Sequence, residues 1–244
     1  MKTNKAERDA IASKFIKRMK EKMILRNKDF KKSKEYKDIS NKELSNIIDS
    51  KLKNGILHNN NKKLGKAIYD FNLPPIDSCP NCLDCQDSCY AVNSYNWYPS
   101  AKKCWKDNFK LVVNDLTRFK TLVNNQIKKD GIYNVRIHSS GDFYNIDYLM
   151  AWIDIINNNT NIMFYAYTKA FEGFKDLPKN LNIIDSYVTH NNKKYLNYGS
   201  YKDISKLRTK IKGIICPITI GKKLNCFECK YCFTKKKVLF IEHN

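Results

Sequence analysis

Residues 67–91 read AIYDFNLPPIDSCPNCLDCQDSCYA, and this stretch decides the expected fold. Ala67 to Leu73 alternates apolar and polar side chains, as a β-strand does, and Pro74-Pro75 ends the pattern. Cysteines are then concentrated on the polar segment that follows, from Cys79 to Cys89. The stretch therefore predicts a strand whose carboxyl end leads into a metal-binding loop.

The spacing of these cysteines is typical of an iron–sulfur site. The four positions are Cys79, Cys82, Cys85 and Cys89. A cubane cluster needs soft thiolate ligands that converge on a small volume, and steps of Cys-x2-Cys and Cys-x3-Cys supply them. Burial in an apolar core is the alternative, and the polar neighbours Asp84, Gln86 and Asp87 disfavour it.

A second group of cysteines lies near the end of the chain, at Cys216, Cys226, Cys229 and Cys232. Successive spacings of three are commoner around iron–sulfur cubanes, whereas zinc prefers two Cys-x2-Cys pairs across a longer gap. The spacing favours a second [4Fe-4S] cluster and leaves zinc as the alternative. Cys104 stands alone on a predicted helix, where a packing role is expected.

Strands and helices alternate along the middle of the chain. The patterns predict helices over 104–127 and 146–156, and strands over 133–138, 162–167, 182–188 and 213–217. This alternation predicts an α/β fold with a parallel sheet, a partial (β/α) barrel between about Lys66 and Pro217. The cysteine loop and the turn Ser139-Ser140-Gly141 both follow strands, so they are expected to meet at the carboxyl edge of the sheet.

We expect three segments along the chain. Residues 1–61 form a basic helical N-terminal arm, 62–212 form the cluster-binding core, and 213–244 form a cysteine-rich C-terminal segment. Within the arm, apolar residues at helical spacing predict an amphipathic helix over 6–25. Ser40 and Glu43 form a capping-box pattern for a second helix that ends near Lys53.

The chain is strongly basic, with 45 Lys and Arg against 24 Asp and Glu and a formal charge of +21. Nucleic acid or another anionic partner fits this charge, with a path along residues 1–37 and 235–237, although an A/T-rich coding sequence would also produce it. No apolar run approaches the ~20 residues of a membrane span. Neither a membrane partner nor a signal peptide is expected, so the protein is expected in the cytoplasm with its cysteines reduced.

Two motifs resemble elements of the radical S-adenosylmethionine enzymes. Cys85-x3-Cys89-Tyr90-Ala91 is similar to the end of the cluster motif in families related to spore photoproduct lyase. Arg136-Ile-His-Ser-Ser-Gly-Asp-Phe143 is similar to the Gly-Gly-Glu element that receives the methionine amino group in that superfamily. The pattern over roughly residues 62–235 also resembles phage proteins of the "gene product eighty-eight" family. That resemblance implies a phage or mobile-element origin and the host cytoplasm as the place of action.

The resemblance implies a [4Fe-4S] cluster with three cysteine ligands, S-adenosylmethionine on the remaining iron, and an external electron donor. It assigns the cofactor amino group to Asp142, close backbone approach to Gly141, the carboxylate or ribose to Ser139 and Ser140, and adenine to Tyr90. His138 is either a proton relay, a ligand or a structural residue.

The chain departs from the radical S-adenosylmethionine pattern in one respect, because it contains no Cys-x3-Cys-x2-Cys. The ligands would instead be Cys85 and Cys89 with either Cys79 or Cys82. Two other functions stay open: a ferredoxin-like electron carrier, in which all four cysteines bind iron, and a zinc-dependent nucleic-acid-binding protein.

Overall fold

A computed structural model describes residues 31–82, 85–87, 89–172, 174, 177–191, 193–234 and 237–241, together with Lys17 and residues 24–25. Within these residues the protein is a mixed α/β structure. The helices are α1 Asn41–Asn54, α2 Tyr90–Trp97, α3 Pro99–Asn114, α4 Leu116–Asp130, α5 Ile146–Asn158, α6 Tyr201–Ile211, α7 Cys226–Cys229 and α8 Tyr231–Thr234. The strands are β1 Ile24–Leu25, β2 Tyr69–Phe71, β3 Asn134–Ile137, β4 Met163–Thr168, β5 Phe171–Glu172, β6 Leu181–Asp185, β7 Tyr187–His190, β8 Lys193–Leu196, β9 Tyr198–Gly199, β10 Ile214–Ile215 and β11 Val238–Ile241.

The central sheet has four strands in the order β2-β3-β4-β6, and every neighbouring pair is parallel. The predicted α/β fold with a parallel sheet is therefore confirmed. The register places Asp70, Arg136, Tyr165 and Asn182 side by side across the four strands. Successive side chains along a strand point to opposite faces of the sheet. This row therefore lies on one face, and the residues that precede and follow each of its members in the chain lie on the other.

Apolar residues on the second face pack against helices. Val135 and Phe164 from the sheet share one core with Phe119 of α4 and Trp152 of α5, whose rings lie 5.2 Å apart. The same core includes Ile47 of α1, which joins this helix to the sheet domain. Burial of these large rings supplies most of the hydrophobic stabilisation of the sheet.

The helix predicted over 104–127 is in fact two helices, α3 and α4, which meet at Asp115. The Asp115 carboxylate accepts a hydrogen bond of 2.7 Å from the backbone N–H of Arg118 and so caps the start of α4. An aspartate offers the chain this cap as an alternative to continuing one helix. The apolar pattern runs through both helices because both pack on the same core.

The C-terminal residues cover the polar row of the sheet. Phe233 of α8 packs on Tyr165 with 4.6 Å between ring centroids, and the Asn182 amide donates to the carbonyl of Cys232 at 2.8 Å. The strand predicted over 213–217 is present as β10, but β10 pairs with β11 in a second, three-stranded sheet. It therefore does not extend the central sheet.

Less can be said of the N-terminal arm. The helix predicted over 6–25 lies largely outside the described residues, and its last two residues form β1, which pairs with β5. The second helix is present as α1, and Ser40 is its N-cap, whose hydroxyl accepts from the Glu43 N–H at 3.1 Å. The predicted capping box is formed only in this half, because the Glu43 side chain does not bond back to Ser40. Glu43 pairs with Lys110 at 2.5 Å. Among the described residues, no helix has the length and apolarity needed to cross a membrane.

Candidate functional site

The loop after β2 and the turn after β3 are joined by four hydrogen bonds at the carboxyl edge of the sheet. The side-chain oxygen of Asn72 accepts from the backbone N–H groups of Ser139 and Ser140, at 2.6 and 3.0 Å. Leu73 and Ser140 exchange two more bonds, since the Leu73 N–H donates to the Ser140 carbonyl and the Ser140 hydroxyl donates to the Leu73 carbonyl. The base of the cysteine loop is therefore held directly against the turn.

Gly141 allows this close approach. Its φ is +88°, and a Cβ at this position would lie 2.6 Å from both the Leu73 Cβ and the Ser78 Oγ. Only glycine fits such a conformation and such a contact without strain. The predicted contact of Gly141 with a cofactor stays a prediction, because in the structure its backbone faces the base of the cysteine loop.

Asp142 joins the turn to the end of β4. It is buried, and its carboxylate accepts from the Thr168 hydroxyl at 2.6 Å, the Phe143 N–H at 2.7 Å and the Lys169 N–H at 2.9 Å. Burial raises the pKa of Asp142, and these hydrogen bonds oppose the rise. A carboxylate has about four acceptor positions, so roughly one remains for a ligand. The N-cap of α5 is Asn145, three residues further along the chain.

Neighbouring acidic groups influence the thiols of the first group. Besides burial, negative charge on Asp142, Cys89 and Cys85 raises the pKa of Cys79, and negative charge on Cys85 raises that of Cys89. Burial raises the pKa of the Cys79 and Cys89 thiols, so both are neutral at physiological pH unless a metal replaces the proton. The Cys82 carbonyl accepts from the Cys85 N–H at 3.0 Å, and all four cysteines of the loop are partly exposed.

The backbone is strained where both β2 and β3 lead into the site. Ile76 has φ 68° and His138 has φ 65°, a left-handed conformation that is rare for residues other than glycine. An isoleucine in this region is a genuine outlier because its branched Cβ crowds the backbone. Such strain occurs most often at functional sites, where the surrounding structure enforces it.

His138 is buried beneath the turn rather than facing the cysteine loop. Its Nε2 lies 2.8 Å from the Tyr148 hydroxyl, while Nδ1 has no hydrogen-bond partner among the described residues. Burial, reinforced by the charge of Arg136, lowers the pKa of His138 to about 3. The imidazole is therefore neutral at physiological pH, and its contacts favour the structural role among those considered for it.

Tyr90 links the turn to the polar face of the sheet. Its ring is exposed at the start of α2, and its hydroxyl donates to the Ser139 carbonyl. The Ser139 hydroxyl in turn donates to Asp70 at 2.7 Å. A guanidinium N–H of Arg136 lies 3.5 Å from the Tyr90 hydroxyl oxygen. Tyr90 and Ser139 are the more accessible of the predicted cofactor contacts, since Ser140 and Asp142 are buried.

The second cysteine group assembles on the polar face of the sheet. Cys226 and Cys232 are each coupled electrostatically to Cys216, and Cys226 also to Cys229. Burial raises the pKa of Cys232 to about 12, and the Tyr167 hydroxyl, which donates to its sulfur at 2.6 Å, opposes the rise. Packing brings three of the four cysteines together, since Cys232 shares one apolar cluster with Cys226 and another with Cys216.

Arg136 lies beside the second cysteine group, on the polar face of the sheet. Its guanidinium is 5.9 and 5.4 Å from the ring centroids of Tyr165 and Tyr167, and its Nε donates to the His138 carbonyl at 3.2 Å. Its positive charge lowers the thiol pKa of Cys226, against the larger effect of burial. A cation in this position stabilises thiolate ligands.

Comparison with protein families matches residues 32–214 to the family described as gene product 88. The chain belongs to the gene product 88 family. The match includes the first cysteine loop and the Ser-Gly-Asp turn and ends before Cys216. It confirms the family resemblance predicted from the sequence, while the resemblance to radical S-adenosylmethionine enzymes stays a prediction. Neither the curated proteins nor the solved structures that were searched contain a match.

Cys104 of this gene product 88 protein has polar contacts rather than the apolar packing expected for it. Its sulfur lies 3.4 Å from the Lys51 Nζ and 3.5 Å from the His58 Nε2. Lys51 is buried, and the pKa of His58 is lowered by burial and by Lys51. This third cluster lies apart from both cysteine groups.

Sequence reasoning missed Asn72 and Arg136. A usable signal existed for Arg136, because strands of parallel sheets read as nearly continuous apolar runs and Arg136 and Asp70 interrupt two of them. Within the described residues, no three His, Cys, Asp or Glu side chains form a site for a single metal ion. The metal-ligand sets of the gene product 88 protein therefore remain proposals.

Proposed function

We propose that this protein is an iron–sulfur protein of radical S-adenosylmethionine type, with the fold of a partial (β/α) barrel. The observation that carries the proposal is the junction of the first cysteine loop with the turn after β3, at the carboxyl edge of the parallel sheet. There, negative charge on Asp142, Cys89 and Cys85 adds to the burial that raises the pKa of Cys79. Ligands bind at this edge in open α/β sheets.

The donor set fits an iron–sulfur cluster. Thiolates are soft ligands that suit iron–sulfur clusters, and burial disfavours their charged form unless a metal is bound. Cys79, Cys85 and Cys89 would hold three irons, and Cys82 would be the spare thiol. Leaving one iron without a cysteine gives an open coordination position.

Residues around that position suit S-adenosylmethionine. The exposed ring of Tyr90 would contact adenine, and the half-buried Ser139 would bond the ribose or carboxylate. The remaining acceptor position of Asp142 would take the amino group. When bound, the cluster supplies one electron, received from an external donor, for reductive cleavage of the cofactor. The protein residues orient the cofactor and exclude water.

The second cysteine group would hold a further [4Fe-4S] cluster on the polar face of the sheet. The half-buried Arg136 supports this assignment because a nearby cation offsets the negative charge of several thiolates. Zinc is the alternative metal for Cys216, Cys226, Cys229 and Cys232. We place the protein in the cytoplasm of a phage-infected host, as the family resemblance implies.

Metal and sulfide analysis of anaerobically purified protein tests the proposal, together with electron-spin spectra recorded with and without S-adenosylmethionine. We expect iron and sulfide in cubane proportion, a spectrum that changes on cofactor addition, and slow formation of 5′-deoxyadenosine by the reduced protein. Cys82→Ala should keep the first cluster and Cys89→Ala should lose it. Cys104→Ser is the matched control, because Cys104 belongs to neither group.

Other outcomes identify the competing functions. Zinc without sulfide would indicate a zinc-binding protein. Loss of the cluster in Cys82→Ala, together with no cofactor cleavage by the wild type, would indicate four-cysteine ligation and a ferredoxin-like electron carrier. Either result would reject the radical S-adenosylmethionine mechanism.

A further inference from the structure

Helix α2 carries an exposed aromatic stripe beside the first cysteine loop. Tyr90, Asn93 and Trp97 are spaced by three and four residues, which places them on one face of the helix, and all three are exposed. Trp97 is 73% exposed, and the following Tyr98 is 59% exposed. A patch of large exposed aromatic side chains on a folded protein often marks a binding site.

The surroundings of the stripe are basic. Residues 90–106 contain three lysines, one of which, Lys103, pairs with Asp107 at 2.6 Å, in a chain whose net charge is +21. One of these lysines, Lys102, holds its Nζ 5.2 Å from the Tyr95 ring centroid, and Tyr95 stacks on Trp105. The pairing of cationic and aromatic side chains is typical of surfaces that bind the backbone and bases of nucleic acid.

Arg136 supplies a further cation at the inner end of the stripe. Its guanidinium has five N–H donors, and among the described residues it meets two acceptors, the His138 carbonyl and the Tyr90 hydroxyl. No carboxylate of the described residues forms an ion pair with it. A poorly hydrated, forked cation with spare donors is suited to a phosphate group.

We propose that the α2 stripe and Arg136 bind single-stranded nucleic acid, with unpaired bases on Trp97 and Tyr98 and a phosphate at Arg136. Flat aromatic side chains stack on bases only when the bases are unpaired, which favours a single strand over a duplex. The inference rests on the proposed function in one respect, because the nucleic-acid strand bound next to the first cysteine loop would be the substrate of that site.

Fluorescence anisotropy of labelled oligothymidylate with the full chain, purified anaerobically, tests this inference. Trp97→Ala should weaken binding roughly 5- to 100-fold, the range for loss of one base-stacking contact. Tyr133→Ala is the matched control, because Tyr133 is 67% exposed but precedes β3, at the opposite edge of the sheet. Its affinity should equal that of the wild type, and the wild-type affinity should fall steeply with salt.

Several results would overturn the inference: unchanged affinity in Trp97→Ala, equal losses in both variants, tighter binding of a duplex of the same sequence, or full displacement by polyglutamate at equal charge. The last would indicate an acidic protein as partner. Binding needs no cofactor cleavage, so the two proposals fail separately. Trp97-dependent binding by a protein without iron would reject only the proposed function, whereas Trp97-independent binding by a protein that cleaves S-adenosylmethionine would reject only this inference.

Discussion

Replacing Gly141 by alanine tests the junction between the cysteine loop and the turn. The added Cβ would meet the Leu73 Cβ and the Ser78 Oγ at 2.6 Å, and the Leu73 Cα at 3.2 Å. The Ser78 hydroxyl is itself held by the Pro74 carbonyl at 2.6 Å, so it cannot turn away without losing a buried hydrogen bond. We therefore expect the loop base and the turn to separate.

Two effects add up in this variant. A left-handed conformation costs a residue with a Cβ about 1–2 kcal/mol, and forcing an extra methyl group into packed surroundings costs about 1–3 kcal/mol more. The free energy of unfolding should fall by about 2–5 kcal/mol in total. Gly131→Ala is the matched control, because Gly131 has φ +60° with no atom within 4 Å of the added Cβ. It should lose only the backbone part, about 1–2 kcal/mol.

Urea unfolding followed by tryptophan fluorescence would measure both values, and iron content after anaerobic purification would show the effect on the site. Gly141→Ala should be less stable than Gly131→Ala and should hold less iron. If the two variants are equally stable and equally loaded with iron, close packing of the turn on the cysteine loop is not what requires glycine at position 141.

Two further predictions concern groups around the turn. The pKa of His138 is lowered from 6.5 to about 3 in the fold, so the unfolded chain binds a proton that the native state excludes. The free energy of unfolding should fall on the order of 4 kcal/mol as pH drops from about 6.5 towards 3. Urea titrations across this pH range would measure the fall. In His138→Asn, the free energy of unfolding should depend less steeply on pH. Asn72→Ala should cost about 2 kcal/mol by leaving the Ser139 and Ser140 N–H groups without their acceptor. Thermal unfolding should find Asn72→Asp closer to wild type, and equal losses in both variants would contradict the assigned role.

Local sequence patterns predicted most of the central fold. The strands predicted over 133–138 and 162–167 are present as β3 and β4, because short runs rich in apolar and aromatic residues suit strands that are covered on both faces of a sheet. The boundary at Asp115 was missed, because capping depends on one side-chain hydrogen bond and leaves the apolar period unchanged.

The candidate site was predictable in part for the same reason. In βα units, loops that follow parallel strands meet at one edge of the sheet, so the neighbourhood of Cys79 and Asp142 followed from chain order alone. The link made by Asn72 could not be predicted from chain order, because an amide side chain can face solvent as readily as it can accept from two backbone N–H groups.

The sequence by itself determined the parallel α/β core, the two groups of cysteines and the polar turn, because these follow from periodicity and from ligand spacing over a few residues. Only the tertiary structure decided that Arg136 lies beside the second group and that Cys104 meets Lys51 and His58. Those contacts join segments far apart in the chain. They depend on strand register and on how α8 and α1 dock, which no local pattern encodes.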